Sequence, residues 1–334
     1  MNYNYLIISN FVILNLFIII FINKLIGLFK IYDFPNETRK FHKKKTSLFG
    51  GTIILINILL FFIIDFYFNK SFVDNINFNQ IIIGIILFYF LGLVDDIKDL
   101  NSNIKFVLSV LILIIIIKLD ENILVDKIFI NSFDIKIHLG NYSLIFTTIC
   151  ILIFINAFNM FDGMNLQSGS YSLMILLSLF IYSLDHLFLG VLTVSLITFL
   201  YLNYKSIVFL GNSGSHLLGF TISYLVISSS KYSEYLILSA DKIFLFMIIP
   251  GLELIRLFTT RIIKKRHPFS SDRNHIHHIL LNRFNESKTL IILILLSGFP
   301  MFFAVMFDKY LHIFIFLFII IYFLIIQKFS NNEK

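Results

Sequence analysis

Apolar residues in this chain follow one another in runs of about 20, the length that carries a helix across roughly 30 Å of hydrocarbon. Short polar stretches separate them, and the ten-residue alternation of a membrane barrel is missing. The runs lie near 5–29, 48–67, 79–94, 104–119, 142–157, 169–185, 187–204, 214–229, 242–258, 288–307 and 310–327. The pattern therefore predicts an all-α, polytopic membrane helix bundle of about eleven transmembrane helices, with residues 1–334 forming one integral membrane domain. Residues 124–140 alternate apolar and polar positions instead, which predicts a small hairpin outside the membrane. The first run has neither a basic leader nor a small-residue cleavage site, so it reads as a retained span.

Composition agrees with this pattern. Hydrophobic residues make up 58% of the 334 and charged residues only 14%, outside the range of soluble globular chains. The single cysteine, Cys150, sits within an apolar run, which excludes a disulfide framework and a cysteine metal site and reads as an inert core position.

The charge, +7 overall, is unevenly spread. Of the 27 Lys and Arg, all but Lys70, Lys118, Lys127, Lys136, Lys231, Lys242 and Lys309 fall on loops and span ends of one side. That side is expected to be cytoplasmic, with the N-terminus outside and the C-terminus inside. Five unusual polar stretches share it: DFPNETRKFHKKKTSLFGG at 33–51, GLVDDIKDL at 92–100, NAFNMFDGMNLQSG at 156–169, FLGNSGSHLLG at 209–219 and HPFSSDRNHIHHIL at 267–280. Hydropathy alone gives no reason for this agreement, so it points to a shared site.

Each stretch has a chemistry and a plainer alternative. Continued as helix, DDIKD puts Asp95 and Asp99 on one face with Asp96 beside them, which suits a cation or a phosphate nucleophile, or else a hydrated helix end. Lys105 is placed to reach a phosphate, or to snorkel. Asn156, Asn159 and Asp162 recur every three residues, lining one helix edge with oxygens for a hard cation, or capping a polar helix terminus. The glycine-rich turn before 214 favours an anion at a helix N-terminus, or simply close helix packing. Phe209 can stack on a base or face lipid. Arg266, His267, Arg273, His275, His277 and His278 form a donor array for phosphates, or a solvated basic loop; zinc is disfavoured because His277 and His278 point differently on a helix and no Cys or Glu completes a tetrahedral set.

Assembled, these motifs resemble the polyprenyl-phosphate N-acetylhexosamine-1-phosphate transferases, membrane enzymes that begin bacterial envelope polysaccharides such as lipopolysaccharide O-antigen and wall teichoic acid. The likeness runs from the Asp-x-Pro-Asn-x-x-Arg-Lys-x-His stretch through Gly50-Gly51 to His278, with five motifs in family order, and the His-Ile-His-His form is similar to the UDP-N-acetylglucosamine branch. The resemblance implies transfer of a sugar 1-phosphate, most readily N-acetylglucosamine 1-phosphate, from a UDP-N-acetylhexosamine to undecaprenyl phosphate with release of UMP. It also implies Mg²⁺ (with Mn²⁺ as a substitute), a bacterial inner-membrane location with a cytoplasmic active site, membrane lipid and not nucleic acid as surroundings, and room for a homodimer.

Carried across, the acidic pair falls on Asp95 and Asp96, the third acid on Asp162, metal-ligating positions on Asn159 and Asn212, the uracil-stacking aromatic on Phe209 and the phosphate-contacting lysine on Lys105. Arg273, His275, His277 and His278 become the clamp for pyrophosphate and sugar. Three positions depart from the family: Asn212 and Asn165 stand where Asp is usual, and Glu253 replaces an Asp of the ninth span. An amide still offers an oxygen but no charge, so Mg²⁺ affinity is expected to fall unless Glu253 or another acid compensates. A transporter and a catalytically silent relative are the rival readings. Transporter charges usually sit at mid-span in broken helices, and these do not.

Overall fold

The computed structural model describes residues 3–34, 45–69, 78–183, 185–232, 238–268 and 274–330. Twelve α-helices occur among them: α1 (Tyr3–Phe29), α2 (Gly50–Ile64), α3 (Phe78–Lys98), α4 (Ser102–Leu119), α5 (Ser143–Phe161), α6 (Gln167–Tyr182), α7 (His186–Tyr204), α8 (Gly211–Tyr232), α9 (Ala240–Ile263), α10 (Ile276–Leu281), α11 (Glu286–Met306) and α12 (Leu311–Ser330). A helix stands at every expected span. Among the described residues, eight are long and apolar enough to cross a membrane. That makes the chain an all-α, multi-pass membrane protein, because only a helix can satisfy its own backbone in hydrocarbon.

Helix α8 organises the bundle. It packs on α2, α3, α5 and α6, and every residue from 213 to 229 is buried. A helix that never meets lipid has no need to be uniformly apolar, and α8 carries serines and threonines whose hydroxyls return to its own carbonyls: Thr221 to Leu217, Ser223 to Gly219 and Ser228 to Leu225. Its first turn also meets neighbouring backbone directly. A Cβ on Gly92 would lie 2.2 Å from the Asn212 carbonyl oxygen, and one on Gly51 2.4 Å from the Gly214 nitrogen. Small residues allow such approaches between membrane helices. Elsewhere a buried amide pair joins α1 to α2, Asn15 Nδ2 donating to Asn57 Oδ1 at 2.7 Å.

The expected hairpin is present as β3 (Lys127–Ile130) paired antiparallel with β4 (Ile135–His138), Lys127 opposite His138. Its tip clasps two helix ends. The Asp241 carboxylate at the start of α9 accepts from the Ser132 nitrogen (2.9 Å) and hydroxyl (2.7 Å), and the Asn131 amide donates to the Asp308 carbonyl (2.6 Å) in the α11–α12 link, where Lys242 of α9 also pairs with the Asp308 carboxylate at 2.5 Å. At the other end of the bundle, β1 (Tyr32–Asp33) pairs with β2 (Thr46–Ser47), and Ser47 bridges in parallel to Val208. Residues 35–44 of the first polar stretch lie outside the described residues. Cys150 is exposed on the flank of α5, not in the core. An apolar run does not distinguish a lipid-facing position from an internal one.

Candidate active site

Helix α3 stops at Lys98, because Asp99 turns left-handed (φ +48°) and its nitrogen returns to the Asp95 carbonyl. The Asp95/Asp99 carboxylate pair expected from continued helix therefore does not form; Asp99 is exposed. Asp95 is buried and occupied: one oxygen accepts from the Leu100 nitrogen (2.9 Å) and the other from Lys105 Nζ (2.6 Å). Lys105 stands in the first turn of α4, which Asn101 caps by accepting from the Asn103 nitrogen.

Asp96 turns the other way, to the N-terminus of α8. Its two oxygens accept from the nitrogens of Asn212 (2.8 Å) and Ser213 (3.0 Å), satisfying backbone donors that the helix itself leaves open. The approach requires Gly211, whose φ is +74° and where a Cβ would sit 2.8 Å from an Asp96 oxygen. Burial raises the Asp96 carboxyl to about 6, against the lowering effect of the two N–H bonds, and the Asp95 charge adds to the rise. One turn into α8, His216 is buried and bonds through Nδ1 to the Asn212 carbonyl at 2.8 Å. Phe209 lies just before, zipped to the first motif: its nitrogen donates to Ser47 and its carbonyl accepts from Gly50.

Asp162 caps the C-terminal end of α5 and accepts from the Ser168 hydroxyl at the start of α6. Burial raises its carboxyl to about 6, against the lowering effect of the Ser168 bond, and the nearby Asp96 charge is part of that rise. Of the three residues spaced along this edge, Asn156 is spent on its own helix, donating to the Leu152 carbonyl. The side-chain amides of Asn159 and Asn212 make no hydrogen bond among the described residues. Asn165 belongs to a loop network with Ser206 and Asn203.

The histidine stretch folds back onto this point. His275 precedes the short helix α10, and the His277 ring lies so close over Gly163 that a Cβ there would be 2.0 Å from its Cε1. His275 stacks on His277 at 5.3 Å between centroids, and His278 lies 4.2 Å from His277. Burial holds the His277 imidazole well below its ordinary pKa, and the neighbouring imidazoles push the same way, so it is neutral near pH 7. Arg273 lies outside the described residues, as does the rest of 269–273.

Glu253, the acid expected to offset the uncharged amide at Asn212, is already engaged by its neighbours. Its carboxylate is shared among Arg256, the Ile276 nitrogen (2.8 Å) and the Tyr322 hydroxyl, with His275 Nδ1 at 3.7 Å. It thus fastens α10 to α9 and α12. Arg256, three residues along from Glu253 in an apolar helix, was legible as a pair; Tyr322 and Ser168 meet the site only through folding, and no spacing signals them.

Among the described residues no group of three or more His, Cys, Asp or Glu side chains is assembled for a metal ion. Asp162 and Asp96 are near enough for the charge of one to raise the carboxyl of the other, and the unengaged side-chain amides of Asn159 and Asn212 stand one helical turn before Asp162 and at the α8 N-terminus whose backbone Asp96 holds. A mixed carboxylate and amide set of this kind fits a hard divalent ion and not zinc.

Residues 78–230 match the family model described as Glycosyl transferase family 4. The chain is 31% identical over 265 residues to the undecaprenyl-phosphate alpha-N-acetylglucosaminyl 1-phosphate transferase of Thermotoga maritima, covering 78% of this chain and 77% of that one. The enzymes of the same name from Salmonella typhi (26% over 286 residues) and Escherichia coli K12 (25% over 288 residues) each align with 80% of this chain and 74% of their own length. The matched span holds Asp95, Asp96, Lys105, Asp162 and Asn212, and the chain belongs to glycosyl transferase family 4 as a membrane phosphoglycosyltransferase.

Proposed function

We propose that this enzyme transfers N-acetylhexosamine 1-phosphate, most readily N-acetylglucosamine 1-phosphate, from a UDP-sugar to undecaprenyl phosphate and releases UMP. The observation that carries the reading is the His277 ring laid over Gly163, which sets the donor-rich helix α10 directly beside Asp162. A UDP-sugar brings about two negative charges and a lipid phosphate between one and two, so the reactants repel each other near neutral pH. A productive site must offset this repulsion while keeping water away from the reacting phosphorus.

In this reading Lys105 and Asp95 hold the lipid phosphate: the lysine supplies charge, and the carboxylate fixes its position at the start of α4. An oxygen of the lipid phosphate attacks the β-phosphorus, the bond to the UMP oxygen breaks, and UMP leaves carrying the electron pair. Arg273, His275 and His278 contact the pyrophosphate and sugar, neutral His277 serves as a hydrogen-bonding wall, and Phe209 stacks on the uracil. Mg²⁺, or Mn²⁺ in its place, would be held by Asp162, Asn159 and Asn212 and would neutralise charge developing on the leaving phosphate. Asp96 keeps the α8 N-terminus and Asn212 in place for that role. Eleven crossings with the N-terminus outside and the C-terminus inside put this face in the cytoplasm, where UDP-sugars are made, and the acceptor's chain in the inner leaflet.

The test is purified enzyme with Mg²⁺, undecaprenyl phosphate and radiolabelled UDP-N-acetylglucosamine. Label should pass into chloroform, and Asp162→Asn should reduce it at least ~100-fold. Absence of lipid-soluble label with UDP-N-acetylglucosamine and with UDP-N-acetylgalactosamine would refute the reading.

A further inference from the structure

Away from the aspartates, a cleft of about 360 Å³ opens between the C-terminal halves of α9 and α12 and the outer side of α10. Its two walls differ. Arg256, Thr260 and Lys264 recur every four residues and line one face of α9, while Phe323, Ile326 and Phe329 of α12 make the opposite wall. Arg256 is committed to Glu253, but the Lys264 ammonium, exposed just past the helix end, has no ion-pair or hydrogen-bond partner among the described residues. Lys265 and Arg266, both exposed, follow it in the chain, and the Lys328 ammonium lies 5.6 Å from the centroid of the lining Phe329 ring. A cationic mouth above an aromatic and aliphatic wall, at the ends of two apolar helices, is complementary to an amphiphile with a negative head. The volume is at the low end for a ligand pocket, enough for a headgroup and the first part of a chain that then runs out along α12.

We propose that this cleft binds an anionic phospholipid of the surrounding bilayer, its phosphate held by Lys264 and by the Thr260 hydroxyl, which would turn from the Leu257 carbonyl it meets at 3.0 Å, and its acyl chain laid against Phe323, Ile326 and Phe329. A free phosphate ion would leave the apolar wall unused, and a zwitterionic lipid would set its own cation against Lys264. Asn274, immediately before His275, also lines the cleft, so a lipid seated there braces the back of the helix whose front face meets Gly163.

The experiment is native mass spectrometry of the full chain released from bilayers of phosphatidylcholine mixed with phosphatidylglycerol, which reads lipid retention independently of transferase activity. The wild type should retain phosphatidylglycerol in preference to phosphatidylcholine. Lys264→Ala should weaken that preference about fivefold, the effect of one lysine at a charged membrane surface. Thr260→Val should weaken it less, and Lys118→Glu on α4 should leave it unchanged. Equal retention of the two lipids, the same preference in Lys264→Ala, or an equal loss in Lys118→Glu would overturn the site.

Discussion

Lys105→Ala leaves the buried Asp95 carboxylate with one backbone N–H and no counter-charge. Such uncompensated buried charges destabilise by about 3 kcal/mol. The expected outcome is a thermal shift of several degrees in detergent together with loss of transfer, while Lys105→Arg restores stability more than activity. The raised carboxyls of Asp96 and Asp162 make a second residue-scale prediction. Each protonates near 6 in the protein against 3.8 for an ordinary carboxyl, so between those values the native state binds more protons than the unfolded one. Stability of the metal-free protein should therefore fall as pH rises from about 4 to about 6. A cation must displace the same protons, so its affinity should weaken as pH drops below about 6, which calorimetric titration with Mg²⁺ at several pH values would read. Motif chemistry of this kind was legible in the sequence; the partners were not. That Asp95 would be spent on Lys105, and Asp96 on a helix N-terminus, follows from side-chain directions set by helix packing.

Helix α10 depends on contacts made by three other elements. Its N-terminal N–H is held by Glu253 of α9, Tyr322 of α12 shares that carboxylate, and Gly163 after α5 accepts the His277 ring. Gly163→Ala should displace His277 and lower transfer by about tenfold or more with the melting temperature little changed, since a misplacement of about 1 Å near the chemistry has such effects. Tyr322→Phe should raise the UDP-sugar KM more than it lowers kcat, because the fold keeps Arg256 on Glu253 while α10 loosens. Sequence periodicity located the long helices because lipid contact demands apolar residues at every turn. It located α8 as well, although burial inside protein lets that helix carry many hydroxyls, but it missed the left-handed stop at Asp99, which ended the carboxylate pairing that continued helix implied.

At the scale of the molecule, the proposed topology puts Asp96, Asp162, His277 and Lys264 at one membrane face and the β3–β4 hairpin at the other. In a chain with Cys150→Ser, cysteines at 98 and 205 should react with an impermeant maleimide only from the cytoplasmic side, and one at 136 only from outside. Opposite labelling of 98 and 205 would separate the motifs and end the shared-site reading. The sequence by itself determined membrane class, helical architecture, the polar stretches and the residue types at the site, because hydrocarbon imposes length and apolarity on each span locally. Only the tertiary structure decided which polar groups face one another: that the histidine helix lies on Gly163, that Glu253 holds this helix through the Ile276 nitrogen, and that Asn165 joins Ser206 and Asn203 in a loop. Those outcomes depend on contacts between residues far apart in the chain, and local pattern carries no record of them.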